Sequence, residues 1–260
     1  MYNRKQDAVR PYLTTRSLHP ENQETPIQFI KNDTMDHRLF YRRNHFPYPS
    51  LTYLNYWLPI NGLVKSPTLF TLADIVKMPS KTVKTVLECA GNKRNLFISK
   101  VFGEQWEKGA MSQANWKGVP LRDILQRVGI GDGAKELIVG GYDYGKRTDT
   151  DRTYSFIRSL PIEKALEDDT IIAYELNDQP IPFKHGYPLR IIVPKWYAMA
   201  SVKWIHQITV SDSHFSGPFQ SVDYVYYPNK NNNQNAFPVT TMNVNSTIQK
   251  PLNMDILNTR

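Results

Sequence analysis

The stretch from Val86 to Arg94 reads VLECAGNKR, a β-like run that breaks into a turn of small residues followed by two cations. It contains Cys89, the one cysteine among 260 residues. Gly91 allows the chain to turn tightly or to approach a ligand closely. Lys93 and Arg94 favour the charged thiolate by Coulomb attraction. A lone cysteine is usually a small buried hydrophobe, but this setting at a strand end makes Cys89 a candidate ligand or nucleophile.

The composition is that of a globular protein with a sizeable core, since 40% of the residues are hydrophobic. A single cysteine excludes an intrachain disulfide framework, and no Cys or His pair has the spacing of a structural zinc site. The formal charge of +8 is compatible with nucleic-acid binding, but the cations are scattered and no nucleic-acid-binding motif is visible. A basic pocket for a small anionic cofactor or substrate explains part of the same excess.

The first residues, Met1 to Pro11, are polar and charged and contain no apolar core typical of a secretory signal. No later segment has an apolar run long enough to cross a bilayer. We therefore expect no membrane span and a cytoplasmic location. An exported protein from which the signal had been removed would have the same sequence.

The hydrophobic periodicity predicts mainly strands. They are expected where alternating or apolar runs end in turn residues, at 51–64, 83–88, 137–139, 170–176, 189–193 and 202–210. Short helices are predicted at 72–77 after a Thr71 cap, at 120–129 between Pro120 and Gly129, and at 159–167. The expected class is therefore α+β, with a mixed, β-sheet-rich fold and short interspersed helices.

The chain divides into three predicted segments. Residues 1–35 carry three prolines among polar residues and predict an extended N-terminal arm. Residues 36–228 contain the predicted strands and helices and form the expected catalytic domain. Residues 229–260 begin with an Asn-rich loop and predict a polar C-terminal tail.

Candidate site residues recur at strand ends or in the loops that follow, where binding groups concentrate on a rigid β scaffold. They are Arg43-Asn44-His45, Cys89 with Arg94, Tyr142-Asp143, His185 with Arg190, and Ser201-Val202-Lys203. Each alone has an ordinary structural explanation. Together they combine a soft thiolate, several cations and imidazoles, which suits an anionic cofactor carrying a thiophilic metal.

Several sequence blocks stand in a fixed order along the chain. They read FYRRNHFP at 40–47, CAGNKR at 89–94, GAMS at 109–112, WKGVPLRD at 116–123, AYELN at 173–177, HGYPLR at 185–190 and VKWI at 202–205. This order resembles the sulfite oxidase family of molybdopterin-binding oxidoreductases over roughly residues 14–228, with a weaker echo at 238–251. Several ordered motifs are more specific than a lone cysteine motif. The resemblance implies that residues 36–228 form a molybdopterin-binding catalytic domain with the sulfite oxidase fold.

The resemblance also implies one molybdopterin per molybdenum, with Cys89 as the protein ligand of the metal. It assigns the cofactor to Tyr41, Arg42, Arg43, Asn44, His45, Cys89, Asp143, His185, Arg190, Ser201, Val202 and Lys203. Arg190 and Lys203 can neutralise the phosphate. Asp143 can accept hydrogen bonds from the pterin amino groups, and His185 can donate one.

The implied catalytic residues surround an anion-binding substrate pocket and are Cys89, Arg43, Arg94, Trp106 and Tyr224. Arg43 and Arg94 would attract an oxyanion, and Trp106 would form a wall that limits water. Tyr224 falls near the active-site tyrosine of the family, with Tyr226 or Tyr227 as the substitute if the alignment is displaced.

The implied reaction is oxygen-atom transfer at a Cys-ligated molybdenum centre, on sulfite or on a small S-oxide or N-oxide. Electrons would pass to or from a separate cytochrome, flavoprotein or quinone-linked carrier, and no nucleic-acid partner is expected. Lys93 stands where the family commonly has arginine, which keeps the charge and loses the fork geometry. We also expect a truncated form that lacks a full C-terminal dimerisation domain and any haem domain. This leaves the oligomeric state open, with a monomer as one outcome.

Two other functions fit the same residues. In the first, Cys89 is a covalent nucleophile activated by His45 or His185, without a metal. In the second, the chain is a basic nucleic-acid-binding module, which steeply salt-dependent DNA binding would identify.

Overall fold

A computed structural model describes residues 12–30, 33–51, 56–147, 149–228, 235–249 and 251. The predicted arm, the predicted strand at 51–64 and the predicted tail lie partly outside these residues. In this part of the chain, no helix has the length and apolar composition needed to span a membrane.

Strands greatly outnumber helices in the described residues. The strands are β1 (Thr14–Leu18), β2 (Glu21–Glu24), β3 (Trp57–Gly62), β4 (Thr68–Thr71), β5 (Lys81–Glu88), β6 (Met111–Pro120), β7 (Glu136–Lys146), β8 (Thr153–Pro161), β9 (Ile171–Leu176), β10 (Gln179–Pro180), β11 (Arg190–Ile192), β12 (Ile205–Ser211), β13 (Val225–Tyr226) and β14 (Phe237–Pro238). The α-helices are α1 (Leu72–Val76), α2 (Leu121–Val128), α3 (Ile162–Ala165) and α4 (Pro218–Ser221). Single 3-10 turns lie at Ile27–Phe29, Arg94–Leu96, Phe183–His185 and Ala198–Ala200.

The first sheet is antiparallel and has the order β10-β9-β6-β5, with β11 also paired to β9. β5 and β6 pair over their whole shared length, from Lys81 opposite Gly118 to Glu88 opposite Met111. Alternate residues of β5 are buried, as expected for a strand with one face on the core. Because the pairing ends at Glu88, Cys89 is the first residue beyond the strand.

The second sheet has the order β4-β3-β12-β7-β8. β12 is parallel to β3 and antiparallel to β7, so the sheet is mixed, as predicted. A parallel pair needs a crossover connection, and here the chain between β3 and β12 builds the first sheet. The predicted α+β, sheet-rich class is therefore confirmed.

Local sequence signals explain the two clearest helices. The Thr71 side chain accepts from the Asp74 N–H at 3.1 Å, and the Asp74 carboxylate accepts from the Thr71 N–H at 2.9 Å, which forms the predicted cap of α1. α2 ends at Gly129, whose φ of +69° suits glycine. Pro120 was expected to be the first helical residue, but it is the last residue of β6. The buried face of α2 consists of Leu121, Ile124, Leu125 and Val128.

Two local differences from the sequence predictions have a tertiary cause. The helix expected at 159–167 is reduced to α3, because β7 pairs with β8 as far as Glu136 opposite Pro161. Within the predicted extended arm, β1 and β2 form a hairpin. The Ser17 hydroxyl and the Asn22 side-chain amide both donate to the Pro20 carbonyl, at 2.9 and 3.2 Å, and these contacts stabilise its turn.

Two buried apolar cores accompany the two sheets. The larger core includes Leu58, Ile60, Leu137, Val139, Phe156, Val202, Ile208 and Tyr224. The smaller core includes Phe40, Tyr41, Leu87, Cys89, Trp106 and Trp116. Cys89 and Tyr224 therefore belong to different cores.

Candidate functional site

Cys89 lies on a tight turn immediately after β5. Its N–H donates to the Ala110 carbonyl at 2.9 Å, which extends the pairing of β5 and β6 by one residue. Its carbonyl accepts from the Asn92 N–H at 2.9 Å, and the Asn92 side-chain amide donates to the Glu88 carboxylate at 2.9 Å. Only 7% of Cys89 is exposed. The backbone therefore holds the residue in place, and the thiol is largely shielded from solvent.

A cavity that is partly open to solvent is lined by residues of both cores. Twelve of the fifteen residues that the resemblance assigns to the cofactor or to catalysis line it: Tyr41, Arg42, Arg43, His45, Cys89, Asp143, His185, Arg190, Ser201, Val202, Lys203 and Tyr224. The tertiary structure thus brings together residues that stand far apart in the sequence.

Strand ends and neighbouring loops deliver these residues to the cavity. Arg42 forms an isolated β-bridge with Gln23 of β2, with backbone hydrogen bonds of 2.8 and 2.9 Å. Asp143 belongs to the part of β7 where the register with β8 shifts between Gly140 and Tyr144. A register irregularity of this kind changes the direction of a side chain. It allows Asp143 to line the cavity although it belongs to a long strand.

Three cations of the cavity make no ion pair among the described residues: Arg43, Arg190 and Lys203. Arg190 donates to the His185 and Ser201 carbonyls, both at 2.8 Å. Lys203 donates to the Asn44 side-chain oxygen, and Arg43 donates to the Asn44 backbone carbonyl. The oxygens that accept from these three groups are uncharged. The charge of Asp143 partly balances that of Lys203, so Arg43 and Arg190 carry the positive charge that has no neighbouring carboxylate among the described residues and that attracts anions.

Burial shifts the pKa values of two charged groups in the cavity, Asp143 and Lys203. Burial raises the pKa of Asp143, and the positive charge of Lys203 opposes this effect. Burial likewise lowers the pKa of Lys203, opposed by Asp143. Asp143 Oδ1 and Arg190 Nε are buried and have no hydrogen-bond partner. Both residues line the cavity, where a ligand that offers a donor to Asp143 and an acceptor to Arg190 would satisfy them.

His45 and Tyr224 form a buried pair, with 2.8 Å between His45 Nε2 and the tyrosine hydroxyl. The imidazole stacks on Phe156, with 4.6 Å between ring centroids. Burial, and then the charge of Arg43, lowers the pKa of His45 well below its ordinary value. Burial raises the pKa of Tyr224. At neutral pH the imidazole is therefore uncharged and accepts a hydrogen bond from the hydroxyl.

His185 is also held as a neutral ring. Its Nε2 lies 3.0 Å from the His37 carbonyl oxygen, so this nitrogen carries the proton and donates. Burial lowers the pKa of His185 well below its ordinary value. The neutral ring therefore offers Nδ1 as an acceptor, whereas the sequence interpretation had His185 donate to a ligand.

Three candidates do not line the cavity: Asn44, Arg94 and Trp106. Asn44 supports the wall, because its side-chain amide donates to the Glu21 carbonyl at 2.6 Å and its oxygen accepts from Lys203. Trp106 is fully buried behind Tyr41, with 6.5 Å between ring centroids. Arg94 donates to the Glu104 carbonyl at 2.9 Å.

Lys184 is a cavity residue that the sequence interpretation omitted. Its Nζ lies 2.8 Å from the Glu21 carboxylate, so its charge is compensated, unlike that of Arg43. Its place beside His185, in a loop after a strand, is the same signal that identified the other candidates.

Arg158 is a second omitted residue and lies next to the cavity. It is 1% exposed, donates to the Phe219 carbonyl, and lies 5.6 Å from the centre of the Tyr224 ring. Its position in the sequence was the signal that could have identified it. Arg158 alternates with Phe156 and Leu160 and therefore lies on the same buried face of the strand. The periodicity of β8 would have shown it, but no strand was predicted there and residues 159–167 were expected to form a helix.

A metal-free nucleophile would require a base beside Cys89. His45 Nε2 is paired with Tyr224, and His185 Nε2 with the His37 carbonyl. Among the hydrogen bonds of the described residues, neither imidazole pairs with the Cys89 thiol. The geometry therefore does not support the nucleophile alternative.

Comparison with known families agrees with the site. A family model described as an oxidoreductase molybdopterin binding domain matches residues 45–219. This interval lies within the predicted catalytic segment 36–228 and contains Cys89, Asp143, His185, Arg190 and Lys203.

Known proteins resemble the chain over most of its length. The mitochondrial sulfite oxidase of Drosophila melanogaster is 37% identical over 218 residues, which cover 82% of this chain and 37% of the relative. NADH nitrate reductase 2 of Phaseolus vulgaris is 29% identical over 260 residues, which cover 92% of this chain and 29% of the relative. The structure of the sulfane dehydrogenase SoxCD from Paracoccus pantotrophus aligns with a TM-score of 0.78 at 26% identity, covering 92% of this chain and 60% of that chain. This chain thus spans less than two thirds of each of these proteins, and their names indicate different substrates.

Proposed function

We propose that this chain, which belongs to the oxidoreductase molybdopterin-binding domain family, transfers an oxygen atom to or from a small sulfur oxyanion, with sulfite as the first candidate. The observation that carries the proposal is a cavity lined by the Cys89 side chain together with three cations that lack an ion pair. A soft ligand beside uncompensated positive charge suits a metal cofactor that bears phosphate and an anionic substrate.

The chemistry of the side chains fits a molybdopterin cofactor. Cys89 offers a sulfur ligand for the metal. Arg190 offers positive charge without a neighbouring carboxylate, and Lys203 adds charge that Asp143 partly balances, which suits the cofactor phosphate. Asp143 has a buried oxygen without a partner and can accept from the amino groups of a pterin. We assign these residues to the cofactor and retain the other cavity candidates as contacts to it.

The bound molybdenum centre would supply the two-electron oxygen-atom transfer, and the protein contributes binding, orientation and electrostatics. Arg43 lines the cavity without a salt bridge and can hold the substrate oxyanion by charge-assisted hydrogen bonds. The Tyr224 hydroxyl keeps its proton, because burial raises its pKa and lowers that of His45, and it can help to orient the substrate at the cavity wall. Burial of this pair keeps bulk water away from the cavity wall.

The charge of the cavity favours an anion over a neutral S-oxide or N-oxide. The cavity contains five basic side chains, Arg42, Arg43, Lys184, Arg190 and Lys203, and the carboxylate of Asp143. Arg42 and Lys184 pair with Glu21, and the charge of Asp143 partly balances that of Lys203. Arg43 and Arg190 therefore carry the excess positive charge. The cofactor phosphate would neutralise part of this charge. The excess positive charge near Arg43 is then available to bind the substrate. The electrons pass to or from a separate carrier.

The test is to express the chain in a host that makes molybdopterin and to measure bound molybdenum and pterin. Turnover is then compared for sulfite with ferricyanide as acceptor, and for sulfoxides and N-oxides with reduced viologen as donor. We expect near-stoichiometric cofactor and turnover of sulfite. Protein from a host deficient in cofactor synthesis is the control. Absence of molybdenum and pterin would overturn the proposal, and turnover restricted to neutral oxides would overturn the assigned substrate.

A further inference from the structure

Residues 96–102 form a surface loop, here named the apolar loop, that closely follows the Cys89 turn. It exposes five large apolar side chains: Leu96, Phe97, Ile98, Val101 and Phe102. Phe102 is 93% exposed and Ile98 is fully exposed. Exposed apolar residues that are grouped in this way usually mark an interaction surface.

Polar contacts hold the base of the apolar loop. The Asn95 N–H donates to the Trp106 carbonyl at 2.9 Å and closes the base. The Gln105 side-chain amide donates to the Val101 carbonyl at 2.8 Å and to the Gly103 carbonyl at 2.7 Å. The apolar side chains are therefore displayed by a hydrogen-bonded loop of the kind that often carries function.

Arg94 connects the apolar loop to the Cys89 turn. A Cβ atom placed on Gly91 would lie 2.6 Å from the carbon of the Arg94 guanidinium, and one placed on Gly103 would lie 2.5 Å from its Nη1. The guanidinium therefore packs directly against both backbones. A partner that contacts the apolar loop is consequently close to the turn that holds the proposed metal ligand.

The charge beside the exposed apolar side chains is positive. Lys100 is exposed, and its Nζ donates to the Asn95 side-chain oxygen at 2.7 Å and makes no ion pair among the described residues. Two acidic residues follow the loop: Glu104 accepts from the Ser17 hydroxyl at 3.1 Å, and Glu107 pairs with Arg16 at 3.0 Å. Residues 93–108 carry four cations, Lys93, Arg94, Lys100 and Lys108, against these two carboxylates. The whole chain carries a formal charge of +8. An acidic protein would therefore be attracted to this surface, and a basic one repelled.

We propose that the apolar loop is the docking surface for an acidic one-electron carrier protein. The inference rests on the proposed function, in which sulfite and water yield sulfate, two protons and two electrons. Two carrier molecules would each be reduced by one of these electrons. The apolar side chains would supply the buried centre of the contact, and the surrounding cations would supply orientation and rate of association.

The test separates docking from catalysis by the choice of electron acceptor. Phe102→Ser and Lys100→Glu are compared with Leu69→Ser, which removes an apolar side chain that is 53% exposed on β4. Ferricyanide, a small acceptor, reports catalysis, while an acidic bacterial cytochrome c and a basic mitochondrial cytochrome c report docking. We expect Phe102→Ser to reduce kcat/KM for the acidic cytochrome at least tenfold, with ferricyanide turnover unchanged. Lys100→Glu should lower the rate with the acidic cytochrome and raise it with the basic one.

Binding is measured separately with cofactor-free protein and immobilised acidic cytochrome, at low and high salt. Salt-dependent binding that Phe102→Ser abolishes and Leu69→Ser retains would support the docking surface. If the cofactor-loaded enzyme shows no turnover with any of the electron acceptors, the proposed function fails, while this binding measurement still decides the docking surface.

Three results would overturn the docking proposal. The first is an equal loss of turnover with ferricyanide and with the acidic cytochrome. The second is absence of binding to the acidic cytochrome. The third is that Phe102→Ser abolishes a different association, either self-association in sedimentation or binding to phosphatidylglycerol vesicles, which would assign the loop to a second copy or to a lipid surface.

Discussion

The side-chain amide of Asn245 donates a 2.6 Å hydrogen bond to the carboxylate of Glu88, which immediately precedes Cys89. The ammonium group of Lys93, beyond the same turn, donates to the Ser246 carbonyl at 2.6 Å. A segment near the C-terminus therefore holds both sides of the Cys89 turn. Since Glu88 is only 6% exposed, the loss of a donor to its carboxylate would leave buried charge less well solvated.

We expect Asn245→Ala to lower the free energy of unfolding by about 1–3 kcal/mol, the usual cost of removing a partner from a buried charged group. Denaturant unfolding of the cofactor-free protein measures this change. The control is Val244→Ala, whose side chain is fully exposed, and it should stay within about 0.5 kcal/mol of the wild type. Equal effects of the two substitutions would contradict a role for the Glu88 contact.

Cys89→Ser should abolish turnover while most of the pterin stays bound. The hydroxyl is a poor substitute for a thiolate on a soft metal, whereas the positive charges assigned to the phosphate are unchanged. Molybdenum content, pterin fluorescence and sulfite turnover are measured on the same preparation. Wild-type turnover by the serine variant would refute Cys89 as the ligand.

Arg43→Met should raise the KM for sulfite about tenfold to a hundredfold, since a hydrogen bond to a charged group contributes about 1.5–3 kcal/mol. The KM for a neutral sulfoxide should change much less. Arg43→Lys keeps the charge and should give an intermediate KM. A similar rise for both substrates would show that Arg43 does not bind the anion.

Arg158→Met should weaken the positioning of Tyr224, because the guanidinium lies over the tyrosine ring and also donates to the Phe219 carbonyl. We expect the effect of Tyr224→Phe on kcat to be smaller in this background than in the wild type, because the two residues act as a unit. Arg158→Lys should restore part of the coupling. Additive effects of Arg158→Met and Tyr224→Phe in the double-mutant cycle would contradict this coupling.

The low pKa of His45 predicts a loss of stability in acid. Below about pH 6.5 the unfolded chain binds a proton that the native imidazole resists, so the free energy of unfolding falls as the pH falls. The contribution is about 1.4 kcal/mol per pH unit for each such histidine. Denaturant unfolding between pH 5 and 7 measures the slope. His45→Gln should reduce this slope and the exposed control His37→Gln should not. Equal slopes would contradict a neutral buried His45.

Local sequence pattern predicted the elements that depend on few neighbours. The Thr71 cap, the apolar face of α2 and the strand that leads to Cys89 all follow from short-range preferences. Neither β8 nor the hairpin in the N-terminal arm was predicted, because strand pairing overrides the local proline and helix signals.

For the site, residue types at strand ends selected Cys89 and eight other residues that line one cavity, and the family resemblance added Tyr41, Arg42 and Tyr224. The order of motifs could not show how deeply a side chain is buried or in which direction it points. Only the tertiary structure placed Arg94 against two glycine backbones, Trp106 behind the wall, and Arg158 over Tyr224. The sequence by itself determined which chemical groups are present, because composition and motif order are local. Their distances, burial and charge compensation arise where two sheets and two cores meet, and depend on contacts between residues remote in the chain.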